Sequence, residues 1–354
     1  MREGGQVLVT GAGGFIGGRA VEALLELGAD VVPGIRRWST AARIGRYPIE
    51  PVQCDLMNPA QLGRVLDGVD SVVHCAVGDA RVTVEGTRNL LQAALDAGVR
   101  RVVHVSTIDV YGRAEGAIDE SHPFEETGRE YGDSKIAAER VCGSFVEQGL
   151  EVVILRPTIV YGPFSELWTV EPAQRLANGS WLLPATACQG TCNLVYVDDL
   201  VRAIILALDA PDVSGSAFNI NGPDRVTWQD YVEALNAELC LAPLAPPPPS
   251  SAKARTALVD PVRALIKKVF FRFEQPIMRI YQRSRLARRF MKWTQATLLK
   301  VPSRAEYELY GRRSHFPTAH AEAQLGYRAA VSMAQGVTWS TQWLLHEGVV
   351  QPRA

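Results

Sequence analysis

Val9 to Gly18 reads VTGAGGFIGG and follows the apolar run Val7-Leu8-Val9 directly. Glycine tolerates positive φ and lets another group approach its backbone closely. The next stretch, RAVEALLELG, has helical periodicity, so the segment predicts strand, tight turn and helix. A helix starting there presents free N–H groups and the positive end of its dipole, which suits a phosphate. Gly11, Gly14 and Gly17 give the spacing G-x-x-G-x-x-G. This is a shifted form of the dinucleotide fingerprint, which carries meaning only between a strand and a helix. Here both are present.

Strand-like runs then alternate with amphipathic helices. QVLVT leads to RAVEALLELG and DVVPGI, PVQCDL to NPAQLGRVLDG and DSVVHCAV, and TVEGTRNLLQAALDAG to RRVVHVST. YGDSKIAAERVCGSFVEQG precedes EVVILRPTIV. Continuous apolar strands joined by helices predict a parallel sheet covered on both faces. The expected fold class is α/β, a doubly wound parallel sheet of the Rossmann type, with ligands beyond the C-terminal strand ends. From Tyr161 the pattern loses regularity. Residues 1–160, with 190–225 returning to them, are expected to form the dinucleotide-binding domain. Residues 161–190 and 223–354 are expected to form a smaller C-terminal substrate lobe. That lobe includes a Pro-rich linker at 243–251 and a basic helical block at 253–304.

With 47% apolar residues and a net charge of −1, a real core is expected and global disorder is not. No apolar run approaches the ~20 residues needed to span a bilayer. The N-terminus lacks a secretory apolar core, so a cytoplasmic location is expected. Cys188 and Cys192 form a lone C-x-x-x-C without a nearby histidine, so no metal site is expected. The six cysteines read mostly as small buried hydrophobes in a reducing compartment.

Three further signals follow the glycine turn in order. HVSTIDVYG ends a strand at Ser106 and Thr107, YGDSK supplies Tyr131 and Lys135, and RPTIVYGP runs from Arg156 to Pro163. A tyrosine and a lysine four apart on a helix share a face. An ammonium beside a phenol favours the phenolate and pulls its pKa down from about 10. Tyr131 is therefore expected to carry the proton, tuned by Lys135, since an acid/base works best with a pKa near ambient pH. At the end of the second strand, VVPGIRRWS offers no carboxylate for a ribose 2′-OH. Arg36 and Arg37 stand where a 2′-phosphate would sit. NADP is the expected cofactor, with NAD as the alternative.

These motifs together resemble the extended short-chain dehydrogenase/reductase superfamily, in particular its NAD-dependent epimerase/dehydratase group. The likeness runs from Gln6 to Gly222, with a weaker echo at HAEAQLGY. It implies that Thr107 hydrogen-bonds the substrate oxygen and that Lys135 also holds the nicotinamide ribose. It places Gly11, Gly14, Phe15, Ile16 and Gly17, with Asp55 and Leu56, along the cofactor. Cys75, Ala76, Ser106, Arg156 and Pro157 are placed there too. Asp109, Tyr161, Trp168 and Asn193 become substrate-side candidates, and Tyr196 to Asp199 are expected to pin the two lobes together. Phe164, Trp168 and Trp181 read either as lid aromatics or as core. His74 reads as a packed strand residue rather than a catalyst.

Two departures from the family pattern stand out. Sugar-nucleotide 4,6-dehydratases carry Thr-Asp-Glu before VYG, whereas this chain has Thr107-Ile108-Asp109. An isoleucine neither gives nor takes a proton, so 4,6-dehydration is disfavoured. The segment Ala76–Val82 is also short where relatives carry a longer loop, which predicts a more open pocket.

From Lys253 to Arg304 there are fourteen Lys/Arg and two acids, a net +12 against −13 for the remainder. Residues 262–293 mix Phe, Ile and Trp with these cations at helical spacing. That pattern reads as a peripheral contact with the inner face of a membrane. A solvated cap or a subunit contact within a homodimer is the rival reading. No nucleic-acid module is visible. The expected partner is a small molecule. The expected activity is nicotinamide-dependent redox or epimerisation at a carbinol carbon, on a sugar nucleotide or related glycosyl group. The alternatives are an NADP-dependent ketone or hydroxysteroid-type reductase on a lipid-like substrate, and a non-catalytic nucleotide sensor.

Overall fold

The computed structural model describes residues 5–181, 183, 185–244, 259, 261 and 303–351. Most of the linker 243–251 and nearly all of the basic block 253–304, including 262–293, lie outside the described residues. The chain divides into two compact units. The first comprises residues 1–165, 193–224 and 314–336, and the second 166–192, 225–313 and 337–354. Residues 314–336, read from sequence as part of the C-terminal lobe, thus group with the dinucleotide fold.

The first unit opens with β1 (Gln6–Thr10), α1 (Phe15–Glu26), β2 (Asp30–Ile35) and β3 (Val52–Gln53). It continues through α2 (Pro59–Val65), β4 (Val69–His74), α3 (Ala80–Asp96), β5 (Arg101–Val105) and β6 (Gly116–Ala117). Then come α4 (Glu130–Val146), β7 (Glu151–Pro157) and β8 (Ile159–Tyr161). In the second unit lie α5 (Glu171–Ala177) and β9 (Thr191–Cys192). The chain returns to the first unit with β10 (Leu194–Tyr196), α6 (Val197–Asp209) and β11 (Ala217–Ile220). It re-enters the second with β12 (Val226–Thr227), α7 (Trp228–Glu238) and α8 (Arg304–Gly311). Finally β13 (Ser314–His315) and α9 (Ala319–Leu325) rejoin the first.

Seven strands form one sheet in the order β11-β7-β5-β4-β1-β2-β3, and every pairing in it is parallel. The order reverses at β1, so β1 and β4 diverge into crossovers on opposite faces, where doubly wound sheets bind ligands. All five residues of β5 are buried, as a strand covered on both faces requires. Leu62 and Leu66 near α2, Leu90 and Leu91 of α3, and Val141 and Phe145 of α4 pack with Leu8, Val72 and Val102 from the strands. α1 and α6 pack on each other and are joined by Arg19 Nε to Asp198 Oδ1 at 2.7 Å.

Asp199, expected to pin the lobes, acts inside the first unit. It is fully buried and accepts the backbone N–H groups of Ala330 and Val331, both at 3.0 Å. The second unit gathers aromatic rings. Trp228 lies 5.7 Å from Trp168 and 4.3 Å from Tyr310, and Trp181 lies 5.8 Å from Tyr310. Trp168 and Trp181 therefore pack against neighbours there. Among the described residues no helix is long and apolar enough to cross a membrane.

Candidate active site

The glycine turn has the compactness its sequence predicts. Gly11 has φ +69°, and a Cβ on it would lie 2.9 Å from the backbone of Ala76 after β4. A Cβ on Gly17 would lie 2.3 Å from the Gly11 carbonyl oxygen. Gly14 is the N-cap of α1, and the first turn of that helix carries no acid. Its free N–H groups thus face no competing carboxylate, and the turn fits a dinucleotide phosphate. Phe15 and Ile16 are half-buried in the first turn.

Thr107, Tyr131 and Lys135 come together at the end of β5. Thr107 is nearly buried and caps the short 3₁₀ turn 108–111, its Oγ1 accepting the Asp109 N–H at 3.2 Å. Tyr131 and Lys135 occupy successive turns of α4. Thr107 acts on the Tyr131 phenol, lowering its pKa. Lys135 is buried and its Nζ donates to the Val105 carbonyl at 2.8 Å. Glu130 Oε1 accepts the Ala80 N–H at 3.1 Å, tying the start of α4 to the start of α3. α3 begins at once after the short segment because Asp79 caps it, accepting the Val82 N–H at 2.8 Å.

The expected lowering of the phenol does not occur in this structure. Burial of the hydroxyl, and then the Asp109 carboxylate, hold Tyr131 above its ordinary value, while Thr107 acts the other way. The residue as a whole is 47% exposed. Lys135 is pushed down to about 8 by burial, offset in part by Cys75, Cys142 and Glu139. A phenol so held is a proton donor at neutral pH.

Other expected cofactor residues have partners or packing within the fold. The Arg156 guanidinium is committed to Glu139, with Nη2 to Oε2 at 2.7 Å, and donates to the Tyr111 hydroxyl at 2.8 Å. Ser106 Oγ donates to Glu139. Leu56 lies in the core, and Pro157 is buried at the end of β7. Asp55 is half-buried, and its Oδ1 turns the chain by accepting the Met57 N–H at 3.0 Å. Cys75 and Ala76 do border the glycine turn. Arg36 and Arg37 are exposed after β2.

Of the substrate-side candidates, only Asp109 stands beside the three central residues. Tyr161 is buried, its ring 5.5 Å from Tyr196. Asn193 is buried too and donates to the Ser314 carbonyl at 3.0 Å. Trp168 belongs to the second unit. His74 is a packed strand residue, with Nδ1 2.8 Å from Thr10 Oγ1 and Nε2 3.1 Å from Thr87 Oγ1. Burial, helped by Lys135, pushes it down to about 3, so it is neutral. Sequence reasoning missed Glu139, whose only signal is its place on the Tyr131–Lys135 face of α4.

A parallel sheet with this turn and this serine/threonine–tyrosine–lysine grouping is the construction of the extended short-chain dehydrogenases/reductases. A model described as the NAD dependent epimerase/dehydratase family matches residues 7–221, and the chain belongs to that family. It is 32% identical over 232 residues to sterol demethylase protein B of Methylococcus capsulatus, covering 61% of this chain and 69% of that one. It is 28% identical over 251 residues to UDP-glucose 4-epimerase of Vibrio cholerae, covering 65% and 74%. In fold it is similar to the crystal structure of UDP-glucuronic acid 4-epimerase from Bacillus cereus in complex with NAD. That match has a TM-score of 0.71 at 19% identity, covering 96% of each chain.

Two predictions follow from this geometry. Replacing Arg156 by Met leaves Glu139 buried and uncompensated, which costs about 3–5 kcal/mol. Urea denaturation should show that loss as a lower transition midpoint. The second concerns Lys135, whose folded value near 8 lies below its ordinary 10.5. Between these values the unfolded chain binds the extra proton, so stability rises with pH. The gain is complete above pH 10.5 and absent below pH 8. Relative to Lys135→Met, the wild type should therefore gain stability across this window in denaturation curves taken at each pH.

Proposed function

We propose that this chain is a nicotinamide-dependent oxidoreductase or epimerase acting at a carbinol carbon, with a sugar nucleotide or related glycosyl group as substrate and NADP as favoured cofactor. The observation that carries the reading is the grouping of Thr107, Tyr131 and Lys135 at the end of β5, beside a turn fit for a dinucleotide. The bound nicotinamide would accept or supply a hydride. Thr107 and Tyr131 hold the substrate oxygen by hydrogen bonds, and the Tyr131 hydroxyl moves its proton. Lys135 lies one turn further along α4 and holds its ammonium against Val105. NADP is supported by Arg36 and Arg37, exposed at the end of β2 with no carboxylate beside them.

A second reading is net reduction of a ketone on a lipid-like substrate. It is favoured by solvent access: a net reductase must recover from solvent the proton it gives the nascent alkoxide at each turnover, and Tyr131 is 47% exposed. The similarity to sterol demethylase protein B points the same way.

Tyr131→Phe removes one oxygen and little volume. Turnover should fall by about 10²- to 10⁴-fold, as loss of a general acid–base does, with cofactor affinity preserved. A variant that turns over a verified substrate at the wild-type rate would move the acid/base elsewhere, and a wild type that binds nucleotide but turns nothing over is a sensor. Arg36→Ala/Arg37→Ala should weaken NADPH about 10- to 100-fold and leave NADH unchanged, since charge-assisted bonds to the 2′-phosphate are lost. Equal loss of both in titration calorimetry would remove the case for NADP.

A further inference from the structure

β1 and β4 pair in parallel, with Thr10 opposite His74 at their C-terminal ends. Both side chains are buried, as are Thr83 and Thr87 on α3. These four residues form one chain of hydrogen bonds. Thr10 Oγ1 lies 2.8 Å from His74 Nδ1, and Thr87 Oγ1 lies 3.1 Å from His74 Nε2. The Thr87 hydroxyl donates to the Thr83 carbonyl at 2.6 Å. Thr83 Oγ1 donates to the Gly78 carbonyl at 3.3 Å and accepts the Gly78 N–H at 3.4 Å. At the other end Thr10 Oγ1 accepts the Ala76 N–H at 3.3 Å.

Counting hydrogens fixes the direction of every bond. A hydroxyl has one hydrogen, and a neutral imidazole has one N–H and one acceptor nitrogen. Thr87 spends its hydrogen on the Thr83 carbonyl, so it accepts from Nε2, which carries the imidazole hydrogen. Nδ1 is then the acceptor, and the Thr10 hydroxyl donates to it. The groups facing this ring keep it neutral. Burial, helped by Lys135 of α4, pushes His74 down to about 3. His104 of β5, with its ring centre 5.1 Å away, is itself lowered by burial.

The two ends of the chain grip the short connection from β4 to α3, one at Ala76 and one at Gly78. Ala76 is also the residue whose backbone abuts the glycine turn, since a Cβ on Gly11 would lie 2.9 Å from its N and Cα. Thr10 directly precedes Gly11. One imidazole thus fixes the glycine turn and the edge facing it relative to each other. A buried polar network with every member satisfied specifies a single arrangement.

We propose that His74 is a positioning residue for the cofactor, holding the Ala76–Gly78 edge against the glycine turn so that the crevice is formed before the dinucleotide arrives. The inference rests on the nicotinamide reading above and extends it to a residue that acts only through Thr10 and Thr87. The glycine turn takes the pyrophosphate common to both nucleotides, so NADPH and NADH should respond alike. Thr87→Val removes the acceptor of the His74 N–H and keeps the side chain's shape. Substitutions along such a network predict a loss of about 3- to 30-fold in the affinity of both cofactors. Thr87→Ser, which keeps the hydroxyl, should restore binding.

Titration calorimetry on the full chain tests this, with melting temperatures confirming folded protein. Thr10→Val should also weaken both cofactors, and the double variant should lose less than the product of the two single losses, because the two threonines couple through one ring. In the wild type, ¹⁵N–¹H correlation spectra should place the His74 hydrogen on Nε2 at neutral pH, a result that needs no variant. A Thr87→Val protein that binds both cofactors as tightly as a wild type that binds them overturns the positioning role and leaves the nicotinamide reading standing. Single losses that simply multiply, or a hydrogen on Nδ1, do the same. A wild type that binds neither NADPH nor NADH overturns both.

Discussion

The ion pair between Arg156 and Glu139 holds the central residues in register. Both side chains are almost fully buried, and they join β7 to the third turn of α4. Glu139 also accepts from Ser106, the residue before Thr107. One carboxylate therefore fixes the helix that carries Tyr131 and Lys135 and the strand end that carries Thr107. Arg156 extends the network to the Tyr111 hydroxyl, which donates to Asn219 Oδ1 at 2.8 Å. A buried pair of this kind contributes little net stability against apolar residues of the same shape, but losing one partner is costly. Its effect is to make one arrangement of α4, β5 and β7 much better than its neighbours.

Around this pair the low-dielectric sheet end suppresses charge. His74 and His104 lie side by side with ring centres 5.1 Å apart, and burial lowers both. Cys75 and Cys142 are held as thiols by burial. Lys135 is the cation that these groups surround, and it feels the same desolvation. Its ammonium is directed at the Val105 carbonyl, and Tyr131 is held up by burial and then by Asp109. Burial thus sets the phenol's state first, and Asp109 of the 108–111 turn adds to it in the same direction.

Periodicity and the glycine spacing were enough to read the parallel sheet, the phosphate turn and the Thr107–Tyr131–Lys135 grouping. Those features are local, so they leave local marks. The pairing of Arg156 was not legible because its partner Glu139 lies on another element, and nothing in RPTIVYGP reveals a buried carboxylate. Tyr161 and Asn193 were read as substrate-facing for the same reason. What buries them comes from β10, β13 and residues 332–336, brought back by tertiary folding. Asp199 looked like a pin between lobes, but its acceptor oxygens were needed by the N–H groups of residues 330–331 within one unit.

The glycines show how one short segment meets two demands. Glycine inside a helix costs roughly 0.5–1 kcal/mol relative to alanine, and α1 contains Gly17 and Gly18 in succession. Gly17 is explained by the Gly11 carbonyl, which a side chain would strike, so it keeps the phosphate turn closed on its helix. Gly18 and Gly13 face the other way in function, admitting Arg43 and Thr40 of the 3₁₀ turn Trp38–Arg43. Filling either seat would separate that turn from α1, and the exposed Arg36, Arg37 and Trp38 would lose their fixed relation to the phosphate turn. The doubled glycines of VTGAGGFIGG therefore encode a spacing between two surfaces, one built from backbone N–H groups and the other from side chains.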